Sequence, residues 1–246
     1  MTVVGGPRNT FKNQYSFQFD GTDDYFSGAT TFSVLDGQSK MSLSCWVKPT
    51  LNSIDEVISC GYASGVLFQL RIYNTGIVRF QFNTTSFYTT TGAGAISANV
   101  WSHILICIDK TLGTSPERGR IFINGVESQS NNLNNTPMGT ATTPLYIGTG
   151  YGLTSPYEGL VDEIGIWSGV DLRDQNKVDE IYNLGKVIGL NKLPTVPKPN
   201  TWFRMGDNAT FSNPGGAGVW TMIDVNDEYS LTSNGMDENN RVLDTP

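Results

Sequence analysis

Short stretches of alternating apolar and polar residues recur along this chain, and turn sequences separate them. Residues 41–48 have this pattern, and about nine further stretches, among them residues 66–73 and the strongly apolar residues 101–108, are typical of strands. Asn124-Gly125, at the end of one stretch, is a strong signal for a two-residue hairpin. Because a helical period is almost absent, we predict an all-β fold, either a two-sheet sandwich or a jelly roll.

Residues 174–184 are the exception, because their apolar residues recur at the spacing of a helix face. These apolar residues are Val178, Ile181, Tyr182 and Leu184. Gly185 suits the position just after a helix end. We therefore predict one short helix that leans against one end of the sandwich.

The chain beyond this helix differs in composition. Residues 193–199 are rich in proline, which is typical of a stiff linker. Residues 201–246 are polar and rich in Gly and Asn, with too few apolar residues for a core of their own. We predict an N-terminal extension over residues 1–13, one domain over residues 14–190 and an extended C-terminal arm over residues 191–246.

Charge and hydropathy exclude two kinds of partner. The 246 residues include 16 Lys and Arg against 23 Asp and Glu, a net charge of -7, and the basic residues do not cluster. Nucleic acid is therefore not an expected partner. No stretch approaches the roughly 20 apolar residues of a membrane span. The first residues also lack the basic and apolar regions of a secretory signal peptide, so we expect the chain to fold in the cytoplasm where it is made.

The chain has 3 cysteines, Cys45, Cys60 and Cys107, and each lies in an apolar, strand-like stretch. Their spacing is not that of a zinc site or a redox pair. We predict buried free thiols, with a Cys45–Cys60 disulfide as the alternative if those two strands pair.

Five motifs in a fixed order resemble the laminin-G-like domain of the concanavalin A-like lectin/glucanase superfamily. They are residues 17–25 (FQFDGTDDY), 43–49 (LSCWVKP), 101–104 (WSHI), 119–125 (GRIFING) and 159–167 (GLVDEIGIW). Residues 181–185 (IYNLG) are similar to the segment that closes many such domains. The resemblance covers about residues 14–186 and implies an all-β fold, the two-sheet antiparallel jelly-roll sandwich of the laminin-G-like domain.

A second resemblance lies in the tail. Residues 201–207 (TWFRMGD) and the Asn-rich stretch after residues 222–224 are similar to a segment of laminin-G-like structural proteins of tailed marine bacteriophages. The resemblance implies a non-enzymatic virion structural protein on the virion surface, which decorates the capsid or forms part of a head or tail appendage. Its partners would be other virion proteins of the capsid or tail, and we expect a homo-oligomer.

The aromatic residues of the tail suggest how such a protein would dock. If residues 191–246 are an arm, four side chains would be buried against a partner: Trp202, Phe203, Phe211 and Trp220. Deletion of the arm would then leave a folded domain that no longer assembles.

The alternative function is a carbohydrate-binding adhesin or tail-fibre receptor-binding module that binds a host-surface glycan. Sugar sites use aromatic rings, and four tyrosines lie in or near loops rich in Gly, Ser and Thr: Tyr62, Tyr88, Tyr151 and Tyr157. The other interpretation, which composition alone favours, is that these tyrosines pack loops or contact neighbouring subunits.

The sequence does not assemble a catalytic site. Asp162 and Glu163 are adjacent, so in a regular strand they point to opposite faces of the sheet. His103 and Cys107 share a face but lie roughly 13 Å apart at about 3.3 Å per residue. We therefore predict that the chain is not an enzyme; a degraded glucanase is a third, weaker alternative.

Asp162 is expected among apolar residues, on the face of Leu160, Ile164 and Ile166, where a carboxylate needs N–H donors, a cation or a proton. One interpretation is a structural Ca²⁺ shared with the turn at residues 20–24. The other is a hydrogen bond to backbone amides. We predict no cofactor and assign no metal ligand.

Overall fold

The structure is a computed structural model that describes residues 11–62, 65–83, 86–89, 93–113, 118–131, 133, 135–213, 218–226 and 228–246. In those residues the strands are, in chain order, β1 (Ser16–Asp20), β2 (Tyr25–Gly28), β3 (Lys40–Pro49), β4 (Asp55–Tyr62), β5 (Gly65–Ile72), β6 (Val78–Phe82), β7 (Ser86–Thr89), β8 (Ser102–Asp109) and β9 (Gly119–Ile123). They continue with β10 (Val126–Asn131), β11 (Ala141–Ile147), β12 (Glu158–Ser168), β13 (Thr201–Phe203), β14 (Ala209–Ser212), β15 (Val219–Ile223), β16 (Ser230–Asn234) and β17 (Arg241–Val242). The α-helix α1 spans Gln175–Tyr182.

These strands form two antiparallel sheets, as the alternating pattern predicted. The large sheet has the strand order β14-β15-β16-β2-β11-β4-β5-β6-β7, and the small sheet has the order β10-β9-β8-β3-β12-β1-β17 with β13 also paired to β12. One core fills the space between them, with Phe17, Val47 and Ile104 from the small sheet against Phe26 and Leu70 from the large sheet. The prediction of an all-β antiparallel sandwich is confirmed.

The predicted helix forms, but it ends earlier than its apolar spacing suggested. Asp174 caps its first turn by accepting a hydrogen bond from the amide of Asn176. Asn183 is left-handed, with φ 47°, and ends the helix before Leu184. Val178 and Ile181 are buried in a second apolar cluster with Trp167. The helix therefore covers the outer surface of the small sheet.

The structure corrects the expectation of an extended C-terminal arm. Strand β13 pairs with β12 in the small sheet, and β16 pairs with β2, which places β14, β15 and β16 in the large sheet. The few apolar residues of this segment do not need a core of their own, because they join the core that the rest of the chain builds. Strands β13 to β17 are therefore part of the sandwich.

The aromatic residues assigned to partner docking are also placed differently. Trp202, Phe203 and Trp220 are buried at 2%, 0% and 3% exposure, and Phe211 is half-buried with its ring 4.9 Å from that of Trp220. The indole of Trp220 donates to the carbonyl of Asp237 at 2.6 Å. These side chains stabilise the fold of their own chain and do not form a docking surface.

The three cysteines are buried free thiols, and Cys45 and Cys60 lie on strands of different sheets. Burial raises the pKa of all three, to about 12 for Cys60 and Cys107. We expect a thiol reagent such as DTNB to leave the native protein unlabelled and to label all three thiols after unfolding in guanidinium chloride. Labelling of the native protein at the denatured rate would contradict this burial.

Among the described residues, no helix has the length and apolar character needed to cross a membrane.

Candidate ligand-binding face

The outward side of the large sheet carries a continuous row of polar residues, here called the polar face. Residues that are direct partners in neighbouring strands share a face of the sheet. From β14 to β6 these partners are Thr210, Thr221, Thr232, Ser27, Tyr146, Ser59, Gln69 and Gln81. The alternate residues of the same strands point inward to the core, including Met222, Phe26, Ile58 and Leu70.

Side-chain amides and hydroxyls are tied together in the middle of the polar face. Gln69 and Gln81, at 2% and 8% exposure, are joined by a hydrogen bond of 3.2 Å from Nε2 of Gln69 to Oε1 of Gln81. Ser59 donates through Oγ to the carbonyl of Thr149 at 3.0 Å. Such bonds satisfy polar side chains that are buried in this part of the sheet.

Charged side chains lie beside this row, on the same face. Arg71 of β5 is the direct partner of Glu56 of β4 on one side and of Arg79 of β6 on the other. Glu56 is 2% exposed and forms an ion pair with Arg71. Burial raises the pKa of Glu56, and the guanidinium of Arg71 opposes this. The guanidinium of Arg79 lies 5.2 Å from the centre of the Tyr73 ring.

Two tyrosines stand on the polar face near its centre. The rings of Tyr25 and Tyr146 are 6.3 Å apart at an angle of 55°, and both are half-buried. Asn234, which is exposed, donates through Nδ2 to the hydroxyl of Tyr25 at 2.9 Å. An aromatic surface with an amide and hydroxyls beside it is a common way to bind a sugar ring.

The loop at residues 148–157 borders the polar face. Tyr151 packs so closely on Gly61 that a Cβ atom there would lie 2.6 Å from its ring. Between this loop and the β1–β2 turn lies a cleft of about 160 Å³, lined by Thr22, Asp23, Asp24, Tyr25, Thr149, Leu153 and Pro156. The cleft joins Tyr25 of the polar face to the β1–β2 turn, here called the acidic turn because it contains Asp20, Asp23 and Asp24.

Only one of the four predicted glycan-binding tyrosines is described at this border. Tyr151 lies there and is half-buried. The predicted glycan contact of Tyr157 is wrong, because this side chain is fully buried and its hydroxyl donates to the carbonyl of Leu160 at 3.1 Å. Tyr62 and Tyr88 belong to β4 and β7, and their side chains lie outside the part of the chain that the structure describes.

The polar residues of β5 and β6 were not predicted as site residues, although they have a local sequence signal. Gln69, Arg71, Arg79 and Gln81 stand at alternate positions of two otherwise apolar strands. That alternation marks one polar side on each strand. Which residues become neighbours depends on the pairing of β4, β5 and β6, and this is not readable from one strand.

The acidic turn brings Asp20, Asp23 and Asp24 together, with one carboxylate oxygen from each within 4.8 Å of the others. Asp24 accepts from Nδ2 of Asn240 at 2.7 Å, and its pKa is raised to about 6 by burial first and by the charge of Asp20 second. These oxygens suit a divalent cation. Asp162 does not share the site, because Asp20 pairs with Glu158, four residues before it in β12, roughly 13 Å away at about 3.3 Å per residue.

Asp162 and Glu163 depart from the alternation that the sequence predicts. A bulge shifts the register between Asp162 and Gly165, and Glu163 has φ 48°. Ile164 therefore points inward to the core, whereas both carboxylates are buried on the outer side of β12. The prediction that the two carboxylates face opposite ways, with Asp162 beside Ile164, is wrong.

Each of these carboxylates has its own hydrogen-bond partners. Asp162 accepts from the amide of Glu163 at 2.8 Å and from Nδ2 of Asn13 at 2.7 Å. Glu163 accepts from the indole of Trp202 at 2.5 Å and from Nε of Arg204 at 3.3 Å. The N-terminal and C-terminal segments therefore meet over this bulge.

His103 and Cys107 do not form a reactive pair. Nε2 of His103 lies 2.8 Å from Oγ of Ser44, and the hydroxyl of Ser42 lies 3.8 Å from the thiol of Cys107. Burial lowers the pKa of His103 to about 3. Both residues are fully buried in the small sheet.

This jelly roll with a polar sheet face defines the class of protein. The family model of the concanavalin A-like lectin/glucanases superfamily, in its laminin-G form, matches residues 20–175, and the chain belongs to this superfamily. No curated protein sequence matches the chain.

Two solved structures with a similar fold align with this chain over most of their own length. The native heptameric SAP-like pentraxin from Limulus polyphemus has a TM-score of 0.56 and 14% identity, over 93% of this chain and 100% of the pentraxin. The Ruminococcus gnavus IT-sialidase CBM40 bound to alpha2,3 sialyllactose has a TM-score of 0.51 and 16% identity, over 66% of this chain and 94% of the CBM40. At these identities the likeness is one of fold.

Proposed function

We propose that this chain is a non-enzymatic binding protein that recognises a saccharide through the polar face. The observation that carries this proposal is the row of hydroxyl, amide and tyrosine side chains across the large sheet. Sugars present hydroxyl groups and apolar ring faces, and both have partners here. Asn234 and Thr232 are exposed, and Tyr25 and Tyr146 are half-buried, so a ligand reaches them without opening the fold.

A binding role without catalysis fits the carboxylates of this face. Glycosidases use a pair of carboxyl groups on either side of the scissile bond. Among the described strand residues of the polar face, Glu56 is the one carboxylate, and it is buried and paired with Arg71. The CBM40 structure with its bound sialyllactose is a saccharide complex on a related fold, which supports the proposal.

We place this binding protein on a virion surface, with other capsid or tail proteins as its partners. The support is the resemblance of residues 201–207 to structural proteins of tailed phages. Burial of Trp202, Phe203 and Trp220 removes the docking arm as the means of assembly, so attachment uses another surface. The proposed role is therefore closer to a host-attachment module than to a passive capsid decoration, and a homo-oligomer would present several polar faces together.

Substitution of the two tyrosines tests the binding site. We expect Tyr25→Ala and Tyr146→Ala each to weaken binding about tenfold, because each removes an aromatic surface from the ligand. A glycan array identifies the ligand, and calorimetry with that ligand measures the change in Kd. Tyr15→Ala, outside the polar face, is the control and should bind normally. Binding that survives both substitutions would place the ligand elsewhere on the fold.

Immunogold labelling of intact phage particles tests the location. Label on the tail or fibres would agree with host attachment, and label over the head would favour capsid decoration. The absence of label on particles would show that the virion assignment is wrong.

A further inference from the structure

Residues 11–14, here called the N-terminal strap, lie on the outer side of the small sheet without joining either sheet. The ring of Phe11 stacks on that of Trp202, with the ring centres 6.1 Å apart and an angle of 20° between the rings. The guanidinium of Arg204 lies 4.4 Å from the centre of the Phe11 ring and also donates to the carbonyl of Lys12. Because side-chain contacts and not a strand ladder hold the strap, it can detach while both sheets stay intact.

The strap covers a buried carboxyl group of the β12 bulge. Asn13 donates through Nδ2 to Oδ2 of Asp162 at 2.7 Å, and Asp162 is 0% exposed. Oδ1 of Asn13 is also buried, and it has no hydrogen-bond partner among the described residues. The amide of Gln14 donates to Oδ2 of Asp207 at 2.9 Å. Water therefore reaches the carboxyl group of Asp162 when the strap lifts.

Three carboxyl groups and one guanidinium meet beneath the strap. Arg204 forms an ion pair with Glu163 at 3.3 Å and lies 3.6 Å from a carboxylate oxygen of Asp207. Among the described residues, the hydrogen-bond donors to Asp162 are the uncharged Nδ2 of Asn13 and the amide of Glu163. The charges of Glu163 and Asp207 both disfavour ionisation of Asp162. One positive charge therefore faces up to three negative charges.

The other charged side chains beside the strap do not pair with Asp162. Lys12 is exposed, and the guanidinium of Arg241, from β17, lies 4.4 Å from the centre of the Tyr15 ring. Burial raises the pKa of Asp162 well above its ordinary range. A protonated carboxyl group has a hydroxyl to donate, and the buried amide oxygen of the strap accepts it once that side-chain amide turns over.

We infer that the N-terminal strap is pH-gated: a proton on Asp162 keeps the strap closed, and ionisation of Asp162 opens it. The protonated carboxyl group bonds to Asn13 without adding a charge to the cluster. The ionised carboxylate adds a negative charge beside Glu163 and Asp207, and hydration of that charge requires the strap to lift. The strap is therefore closed below neutral pH and opens as the pH rises. The inference concerns the small sheet and does not depend on saccharide binding by the polar face.

Cleavage by chymotrypsin after Phe11 measures this opening in the full-length protein. In the closed strap the Phe11 side chain is half-buried against Trp202, so the protease reaches it in the open form. The cleavage rate is divided by the rate for a short peptide substrate at the same pH, and mass spectrometry identifies the fragments. We expect this ratio to rise at least about tenfold from about pH 6.5 to about pH 8. A ratio that does not change with pH, or cleavage after Phe11 only together with cleavage inside the sheets, would overturn the inference.

Two substitutions separate gating from a merely structural role of these residues. Asp162→Asn carries no charge and still pairs with Asn13, so cleavage should stay slow at both pH values. Asn13→Ala removes this bond but lies outside both sheets, so the sandwich is retained, and cleavage at about pH 6.5 should be at least about tenfold faster than in the parent protein. Asp179→Asn, at an exposed position of α1, is the matched control and should follow the parent profile. A parent-like rise with pH in Asp162→Asn, or slow cleavage of Asn13→Ala, would show that this carboxyl group does not gate the strap.

Discussion

A chain that ends at residue 200 is expected not to fold. It lacks β13, β14, β15, β16 and β17, so β2 and β12 each lose a partner strand. The truncation also removes a set of buried side chains from the shared core: Phe203, Met205, Trp220, Met222, Leu231 and Met236. Burial of each contributes about 1.5–3 kcal/mol, and six of them together match the about 5–15 kcal/mol by which a domain is stable.

Circular dichroism and urea unfolding of the truncated chain measure this effect. A chain that lacks only Thr245 and Pro246 is the control and should unfold like the full-length protein. A truncated chain that is monomeric and unfolds cooperatively would show instead that residues 201–246 are an arm on a complete domain.

A point substitution gives the same test without truncation. Trp220→Ala should lower the free energy of unfolding by about 3–5 kcal/mol, because it leaves a cavity beside Phe17 and removes the donor to Asp237. Leu184→Ala, at a side chain that is 91% exposed, should change it by less than about 0.5 kcal/mol. Equal effects of the two substitutions would contradict the burial of Trp220.

The second large effect is expected from pH, at the buried carboxylates of β12. Burial raises the pKa of Glu163 to about 7, and the charge of Arg204 opposes this. Burial, and then the charge of Glu163, raise the pKa of Asp162 well above its ordinary range. A carboxyl group with a raised pKa stabilises the fold below its unfolded-state pKa, and that stability is lost as the pH rises through the folded-state pKa.

Titration of His103 changes the free energy of unfolding in the opposite direction. Its pKa is lowered to about 3 by burial, so its contribution is present above its unfolded-state pKa of about 6.5 and is lost as the pH falls. The two effects oppose each other between about pH 4.5 and 6.5. Above about pH 6.5 His103 no longer contributes, and titration of the carboxylates should lower the free energy of unfolding by about 2 kcal/mol as the pH rises to about 8. Above that pH the buried thiols add to the loss, because their unfolded-state pKa is about 8.5.

Asp162→Asn tests the origin of this loss. The asparagine still accepts from the amide of Glu163 and carries no charge, so the decrease between about pH 6.5 and 8 should be much smaller. Urea unfolding across this range measures it. Asp179→Asn, at an exposed position of α1, is the matched control and should follow the parent profile. The same loss in Asp162→Asn as in the parent protein would assign the pH effect to other groups.

Much of the fold was predictable from local pattern. The strands around residues 41–48, 66–73 and 101–108 and the helix near Val178 formed where the local pattern of apolar residues indicated. Cys107, in one of these apolar strands, is a buried free thiol as predicted. In each case the deciding physics is local, because strand and helix periods repeat within a few residues.

Pairing between strands that are far apart in the sequence determined the rest of the fold and the site. Leu231 is the direct partner of Gly28, about two hundred positions away, so the sparse apolar residues of the C-terminal segment join a core that distant residues supply. The bulge after Asp162 placed the carboxylate of Glu163 on the same side of β12 as that of Asp162, whereas regular alternation predicted opposite sides. Alternation marked a polar side on β5 and β6, but only strand register aligned Gln69 with Gln81 and Arg71 with Arg79. A sequence determines which side of a strand is polar, whereas neighbours across a sheet are determined by hydrogen bonds between segments that are far apart in the chain.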